Sequence, residues 1–313
     1  MFFNKKKVIL INGPTASGKT SLAIKLAKKI NGEIISVDSR QIFKEISGFS
    51  GAVSEKMREE VEHYFVGELS LIDGDEFNIA DFKEKVFQKI EEILEKNKTP
   101  ILVGGSSFFF ESVVYKNFLP KINPDLELRK ELGDKTKEEL FLEILEKDKK
   151  TAERIDKNNI PRLIRAIEII RKNGFVPEIK KEINKDYNFK EVFLWDERNK
   201  INQKIVNNVI DRADKMIDEA EILRSKISAE KFNQLGLAYK NIFDFWEGKI
   251  SKEEFISLGI LEEKKYAKRQ MTYLNKFFKN LPEKKWWNFK GLNKKKFIAS
   301  DKKLFEKVLK FLK

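Results

Sequence analysis

The 313-residue chain predicts an α/β fold: a parallel sheet core covered by helices, with a helical insertion. Two patterns carry the core. Short apolar segments ending at Asn12-Gly13, Asp38 and Gly104-Gly105 have the length and β-branched content of strands buried on both faces. Segments with apolar residues three and four apart separate them, as amphipathic helices packed on a sheet would. The insertion rests on a third pattern. From about Asn117 to Asn188 the strand signals vanish, and a charged, helix-spaced stretch punctuated by Pro120, Pro124, Pro161 and Pro177 replaces them.

In chain order, residues 7–11 form the first strand, cut off by the turn formers Gly13 and Pro14, and helical spacing resumes over 21–27. Residues 33–37 form a second strand that ends at Asp38. Ile79, Phe82, Val86, Phe87, Ile90, Ile93 and Leu94 line one face of a helix over 79–94. Residues 100–103 form a third strand, and residues 191–195 return to the sheet as a fourth. Everything after Asn199 reads as helices. The expected organisation is therefore one core, residues 1–117 with 189–313, interrupted by a helical insertion at 118–188.

Composition excludes several chemistries. Without cysteine there is no disulfide, thiolate nucleophile or Cys-ligated zinc, which fits a reducing compartment. The lone histidine, His63, excludes a His-rich metal site, argues against a Ser-His-Asp hydrolase and reads as a surface or helix residue. Four apolar residues after Lys5-Lys6-Lys7 are too few for a signal peptide or a membrane span, so the expectation is a cytoplasmic protein. The net charge of +13 is unevenly placed. Residues 264–313 hold 17 basic and three acidic side chains, a local excess of 14, and the rest of the chain is close to neutral. An anionic partner or a solvated lysine face would account for it.

Residues 13–20, Gly-Pro-Thr-Ala-Ser-Gly-Lys-Thr, satisfy the phosphate-loop pattern G-x-x-x-x-G-K-[ST] at every fixed position. Gly13, Pro14, Thr15, Ala16, Ser17 and Gly18 form a loop whose amides converge on an anion at the start of a helix. Lys19 adds a point charge, and Thr20 offers its hydroxyl to Mg²⁺. A polyphosphate is implied, whether a nucleotide or a non-nucleotide diphosphate. Asp38, ending the second strand, falls on the same rim of the sheet. It suits a general base, a Mg²⁺ ligand or a helix cap. Gly104-Gly105-Ser106 ends the third strand there too, as a flexible backbone with a hydroxyl or simply as a turn.

These segments, taken with ISVDSRQIFK at 35–44, LVGGS at 102–106, RLIRAIEI at 162–169 and YAKRQMTYL at 266–274, resemble the tRNA dimethylallyltransferases in order and spacing from about Val8 to Phe278. The resemblance implies a P-loop NTPase-like core and transfer of a dimethylallyl group from dimethylallyl diphosphate to N6 of the adenosine 3′ to a tRNA anticodon. Gly13 to Thr20, with Arg212, would hold the diphosphate. Asp38 would be the general base, and the Ser106 hydroxyl would contact the oxygen bridging isoprenoid and diphosphate. Ser39, Gln41, Arg269 and Gln270 would serve the tRNA. Mg²⁺ and a monomer are implied as well.

The chain departs from the family pattern at 48–53, 107–110 and 236–240, and Tyr273 stands where a tryptophan is usual. Three other functions fit the phosphate loop: a P-loop kinase of a small metabolite, an RNA-binding P-loop NTPase without transfer chemistry, and a dimethylallyltransferase acting on free adenylate. The kinase would want an arginine-rich lid, for which Arg162, Arg165 and Arg171 are scattered candidates that suit salt bridges equally well. The free-nucleotide enzyme would not need the insertion or the basic tail. Phe277, Phe278, Trp286, Trp287 and Phe289, interleaved with lysines, would stack bases or pack a final pair of helices.

Overall fold

The computed structural model describes residues 6–75, 77–116, 122–178, 182–228, 231, 232, 235, 241–278, 287–289 and 292–313, with the backbone alone at 276–278, 287–289 and 292. The chain forms two compact units, one of residues 1–115 and 183–313 and the other of residues 116–182.

The larger unit is built on a seven-stranded sheet. Its strands are β1 (Lys6–Asn12), β2 (Gly32–Val37), β3 (His63–Tyr64), β4 (Thr99–Gly104), β5 (Tyr187–Trp195), β6 (Trp287–Phe289) and β7 (Leu292–Ile298), in the order β3-β2-β4-β1-β5-β7-β6. All pairings are parallel except β6 with β7. β1 is central, with β4 on one side and β5 on the other, so the chain reverses its direction of travel across the sheet at β1. The carboxyl end of that strand is where an open α/β sheet leaves a crevice.

Register sorts the side chains. Ile9, Ile101 and Ile34 lie in one row, and Leu10, Leu102 and Ile35 lie on the opposite face. The first face is covered by α1 (Lys19–Ile30), through Leu22, Ala23 and Leu26, and by the C-terminal helix Leu304–Leu312, through Val308, Phe311 and Leu312. Asn31 ends α1 in the left-handed conformation. Helix α2 (Ile79–Glu95) buries Phe82, Val86, Ile90 and Ile93, the stripe its spacing predicts, and is capped by Asn78 accepting from the N–H groups of Ala80 and Asp81. α3 (Ser107–Val114) follows β4 directly.

The unit of residues 116–182 is helical: α4 (Leu126–Gly133), α5 (Lys137–Lys147), α6 (Lys149–Arg154) and α7 (Ile160–Asn173). Leu132, Leu140, Ile144, Leu163 and Ile167 form its core. Glu168 is fully buried there because Arg129, Arg165 and the Asp125 N–H all donate to it. That removes Arg165 from any lid, and Arg171 is likewise committed to Glu131 and Glu143. Two long helices, α8 (Arg198–Arg224) and α9 (Lys252–Phe278), follow β5, and α10 is the C-terminal helix Leu304–Leu312 already placed on the sheet.

Sequence and structure differ in three places. His63 lies in the short strand β3, half-buried, with Nδ1 2.7 Å from the Val61 carbonyl. β5 begins four residues before the apolar run that marks it. The segment after Asn199 is not all helical, for β6 and β7 add to the sheet. β7 reads Leu-Asn-Lys-Lys-Lys-Phe-Ile, and its lysines hide the strand pattern. Tertiary partners make them compatible with the sheet: Lys294 pairs with Glu191 at 2.7 Å, and Lys296 sits 3.8 Å from the centre of the Trp195 ring. Part of the basic tail is thus structural. The aromatic side chains Phe277, Phe278, Trp286, Trp287 and Phe289 lie outside the described residues, as do residues 236–240.

Phe311, 1% exposed and packed edge-on to Phe297 at 5.7 Å, ties α10 to β7. Truncating it to alanine leaves a cavity worth about 3–5 kcal/mol. Urea unfolding of Phe311→Ala is expected to show a lowered midpoint with an unchanged slope.

Candidate functional site

The phosphate loop leaves β1 at Asn12. Gly13 has no room for a side chain, since a Cβ there would stand 2.6 Å from the Leu194 carbonyl oxygen of β5. Ala16 and Gly18 take left-handed backbone, with φ of 60° and 82°. Gly18 bears this freely; Ala16 bears it at a cost, which the surrounding loop must hold in place. The Pro14 carbonyl accepts from Lys19 Nζ at 2.6 Å and from the Ser17 N–H at 3.3 Å. Ser17 Oγ is buried with no hydrogen-bond partner among the described residues. Burial pushes the Lys19 ammonium down to about 8, with the Asp38 carboxylate opposing the shift.

Asp38 follows β2 and faces the loop. One carboxyl oxygen accepts from the Arg40 N–H at 2.9 Å, and the Gln41 N–H donates to the group as well. Burial nevertheless raises its pKa above the ordinary aspartate value, against the pull of these bonds and of the Lys19 and Arg40 charges. Gln41 Oε1 accepts from Ser36 Oγ at 3.0 Å, and its Nε2 lies 3.5 Å from the Gly51 carbonyl.

Helices α8 and α9 supply the opposite wall. Arg212 of α8 pairs with Glu263 of α9 and lies against Gly51, where a Cβ would be 2.5 Å from its Nη1. Burial lowers the Arg212 pKa to about 10, with the Glu219 carboxylate working against it. Glu219 itself accepts from Ser47 Oγ and the Gly48 N–H, both at 2.8 Å. Segment 48–53, which departs from the family pattern, is therefore held to α8 at its start.

These elements enclose a cavity of about 520 Å³. Thr15, Ala16, Gly18, Lys19 and Thr20 line it, together with Asp38, Ser39, Gln41, Arg212, Arg269 and Gln270. Gly13, Pro14 and Ser17 build the loop without lining the cavity. Ser106 does not line it either; it is half-buried at the start of α3, next to Gly105, which does. Gln270, expected to meet RNA, is 8% exposed. Its Oε1 accepts from the Thr15 N–H at 2.8 Å, and its Nε2 donates to the Gly105 carbonyl at 3.0 Å. It bolts the phosphate loop to the β4–α3 turn. Gly105 makes this possible, since a Cβ there would stand 2.2 Å from Gln270 Nε2.

Sequence reasoning missed Asn208, Glu263 and Tyr266, which also line the cavity. The signal was present: Asn208 and Arg212 are four residues apart on α8, and Glu263, Tyr266 and Gln270 share one face of α9. Burial and the Asp38 charge both push the Tyr266 hydroxyl well above its ordinary pKa, so it stays protonated. Among the described residues no group of three or more Asp, Glu or His side chains could hold a metal ion, and no helix is long and apolar enough to cross a membrane.

Fold and site together define a phosphate-loop α/β enzyme. Comparison with known proteins narrows that class. The family model for IPP transferase matches residues 41–277, and the chain belongs to this family. A tRNA dimethylallyltransferase from Acetivibrio thermocellus is 34% identical over 305 residues, covering 94% of each chain, and one from Finegoldia magna is 36% identical over 299 residues, covering 91% of this chain and 92% of that one. Among solved structures, the tRNA isopentenylpyrophosphate transferase of Bacillus halodurans superposes with a TM-score of 0.66 at 27% identity, over 98% of this chain and 97% of that one. A eukaryotic dimethylallyltransferase acting on tRNA superposes with a TM-score of 0.77 at 22% identity, over 95% of this chain and 74% of that one, a likeness of fold.

Because Lys19 loses its proton near pH 8, its attraction for a polyanion weakens as pH rises through that value. Calorimetric titration with inorganic diphosphate is expected to show falling affinity between pH 7 and 9. Lys19→Met should bind more weakly at pH 7 and lack that component of the decline.

Proposed function

We propose that the chain transfers a dimethylallyl group from dimethylallyl diphosphate to N6 of the adenosine 3′-adjacent to a tRNA anticodon, releasing diphosphate. The observation that carries this reading is the shared cavity: one space brings the phosphate loop and Arg212 to face a half-buried carboxylate, Asp38. Cations on one side and a proton acceptor on the other are what the reaction requires. The N6–C1 bond forms as the allylic C1–O bond breaks, the electron pair leaves with diphosphate, and the N6 proton goes to Asp38.

The departing diphosphate gathers charge in the transition state, where preorganised donors act most strongly. Lys19, Arg212 and the loop amides fill that role. A Mg²⁺ ion would add Lewis-acid stabilisation. Thr20 Oγ1 is a hard oxygen donor of the kind Mg²⁺ prefers, and with no cluster of three or more acidic or His side chains among the described residues the remaining ligands would be diphosphate oxygens and waters. Asp38 suits the base: burial raises its pKa, making the carboxylate a stronger acceptor, and the Arg40 and Gln41 amides fix its direction. Ser106 would approach the bridging oxygen from the turn that Gln270 holds. Ser39 and Gln41 would contact the adenosine, which must leave its stack to enter the cavity, and exposed Arg269 would meet the RNA backbone. The chain would act as a monomer. A metabolite kinase is less well served, because Arg165 and Arg171 are tied to glutamates within the helical unit.

Incubating the protein with unmodified tRNA, Mg²⁺ and labelled dimethylallyl diphosphate should label the tRNA, whereas phosphorylation of a metabolite from ATP without tRNA labelling would overturn the reading. Asp38→Asn is expected to lower kcat by about 10²–10⁴ while tRNA affinity stays within about threefold, as loss of a general base alone would do. In the wild type, kcat/KM should rise with pH through a limb above the usual carboxylate range.

A further inference from the structure

On the face of the sheet away from α1 and α10, three polar side chains meet beneath the phosphate loop. Lys294 of β7 and Glu191 of β5 are direct cross-strand partners, with Nζ and Oε2 2.7 Å apart. Asn12 Nδ2 donates to the other oxygen of Glu191 at 3.3 Å. Asn12 is 2% exposed, and its Oδ1 has no hydrogen-bond partner among the described residues. The bond to Glu191 is therefore what orients the residue from which Gly13 and the loop depart. β5 touches the loop root a second time, at the Leu194 carbonyl against Gly13.

The surroundings leave little else to balance the charge of Glu191. Its neighbours around a small gap beside the loop root are Ser107, Phe110, Val114 and Tyr115, together with a second buried carboxylate, Glu111 of α3. Glu111 accepts from the Tyr273 hydroxyl of α9 at 2.9 Å. Among the described residues Lys294 is the one ammonium lining this gap. A carboxylate buried without its cation would take up a proton or turn toward water, and either would release Asn12.

We propose that Lys294 is a positioning residue for the diphosphate site, acting through Glu191 and Asn12 to fix the root of the phosphate loop. This separates it from the lysines that face solvent, and it makes the C-terminal strand, which lies beyond the 41–277 family match, part of the diphosphate-binding apparatus. The proposal rests on the diphosphate reading above. Binding of Mg²⁺-diphosphate by the unmodified chain tests that reading, and differences among folded variants test the network.

Lys294→Met is expected to raise the Kd for inorganic diphosphate, measured by calorimetry with Mg²⁺, about tenfold, which corresponds to about 1.4 kcal/mol. The KM for dimethylallyl diphosphate should rise in parallel, while tRNA affinity and its salt dependence stay unchanged. Lys294→Arg, which keeps the charge, should bind diphosphate within about threefold of wild type. Adding Glu191→Gln to Lys294→Met removes both charges but keeps an acceptor for Asn12, so the double variant should recover most of the lost affinity. An unchanged diphosphate Kd in Lys294→Met, a loss confined to tRNA with a shallower salt dependence, or a double variant no better than the single one would each overturn the proposal. Where Lys294→Met does not fold, the double variant decides: diphosphate affinity near wild type supports the network, and a tenfold loss overturns it.

Discussion

A loop of eight residues can grip a polyanion only if its backbone is already arranged when the anion arrives, and here that arrangement depends on the contact between Gly13 and β5. The Leu194 carbonyl lies where a side chain on Gly13 would be, so β1, β5 and the loop root are locked at backbone distance. The rest of the site is referred to this point. Gln270 clamps the loop from above through Thr15 and Gly105, and Lys19 closes it from within through Pro14. The strain at Ala16 persists because both ends of the turn are held. Preorganisation of this kind is what lets donors act on charge that develops only in the transition state.

The same economy explains the charges in the middle of β5. Lys190 and Glu191 interrupt the otherwise apolar buried stretch 189–194 of the strand, and each points to a different face. Lys190 Nζ reaches the Leu312 carbonyl at 3.1 Å, and Lys7 Nζ reaches it at 2.5 Å, so two lysines satisfy the end of α10. Glu191 takes Asn12 and Lys294 on the other side. The basic excess of the C-terminal fifth is thus not one surface. Some of its lysines are spent within the fold, and of the cations that line the cavity Lys19, Arg40 and Arg212 come from the near-neutral part of the chain and Arg269 from the basic part.

Much of the fold was legible because its signals are local. The central strands β1, β2 and β4 and the second half of β5 are runs of mostly apolar residues, and α1 and α2 show their buried stripes at helical spacing. The phosphate loop and Asp38 were legible for a related reason: each is tied to the end of a strand, and strand ends in a parallel sheet share a rim. β3, of two residues, and β7, of lysines, could not be read in this way. Their pairing is set by partners more than a hundred residues away for β7 and by a neighbouring strand for β3, and neither leaves a periodic trace.

Residue identity and short-range order therefore determined the class of fold, the phosphate-loop motif and the carboxylate on its rim. Tertiary structure alone decided which side chains face that loop and in what capacity. Gln270 holds the backbone because α9 runs past Gly105, Arg212 borders the cavity because Gly51 gives it room, and Lys294 belongs to the sheet because Glu191 lies beside it. The physical reason is one of range: backbone propensity and amphipathic spacing act over a few residues, whereas the burial of a charge or an amide is settled only by whatever the folded chain brings within hydrogen-bonding distance.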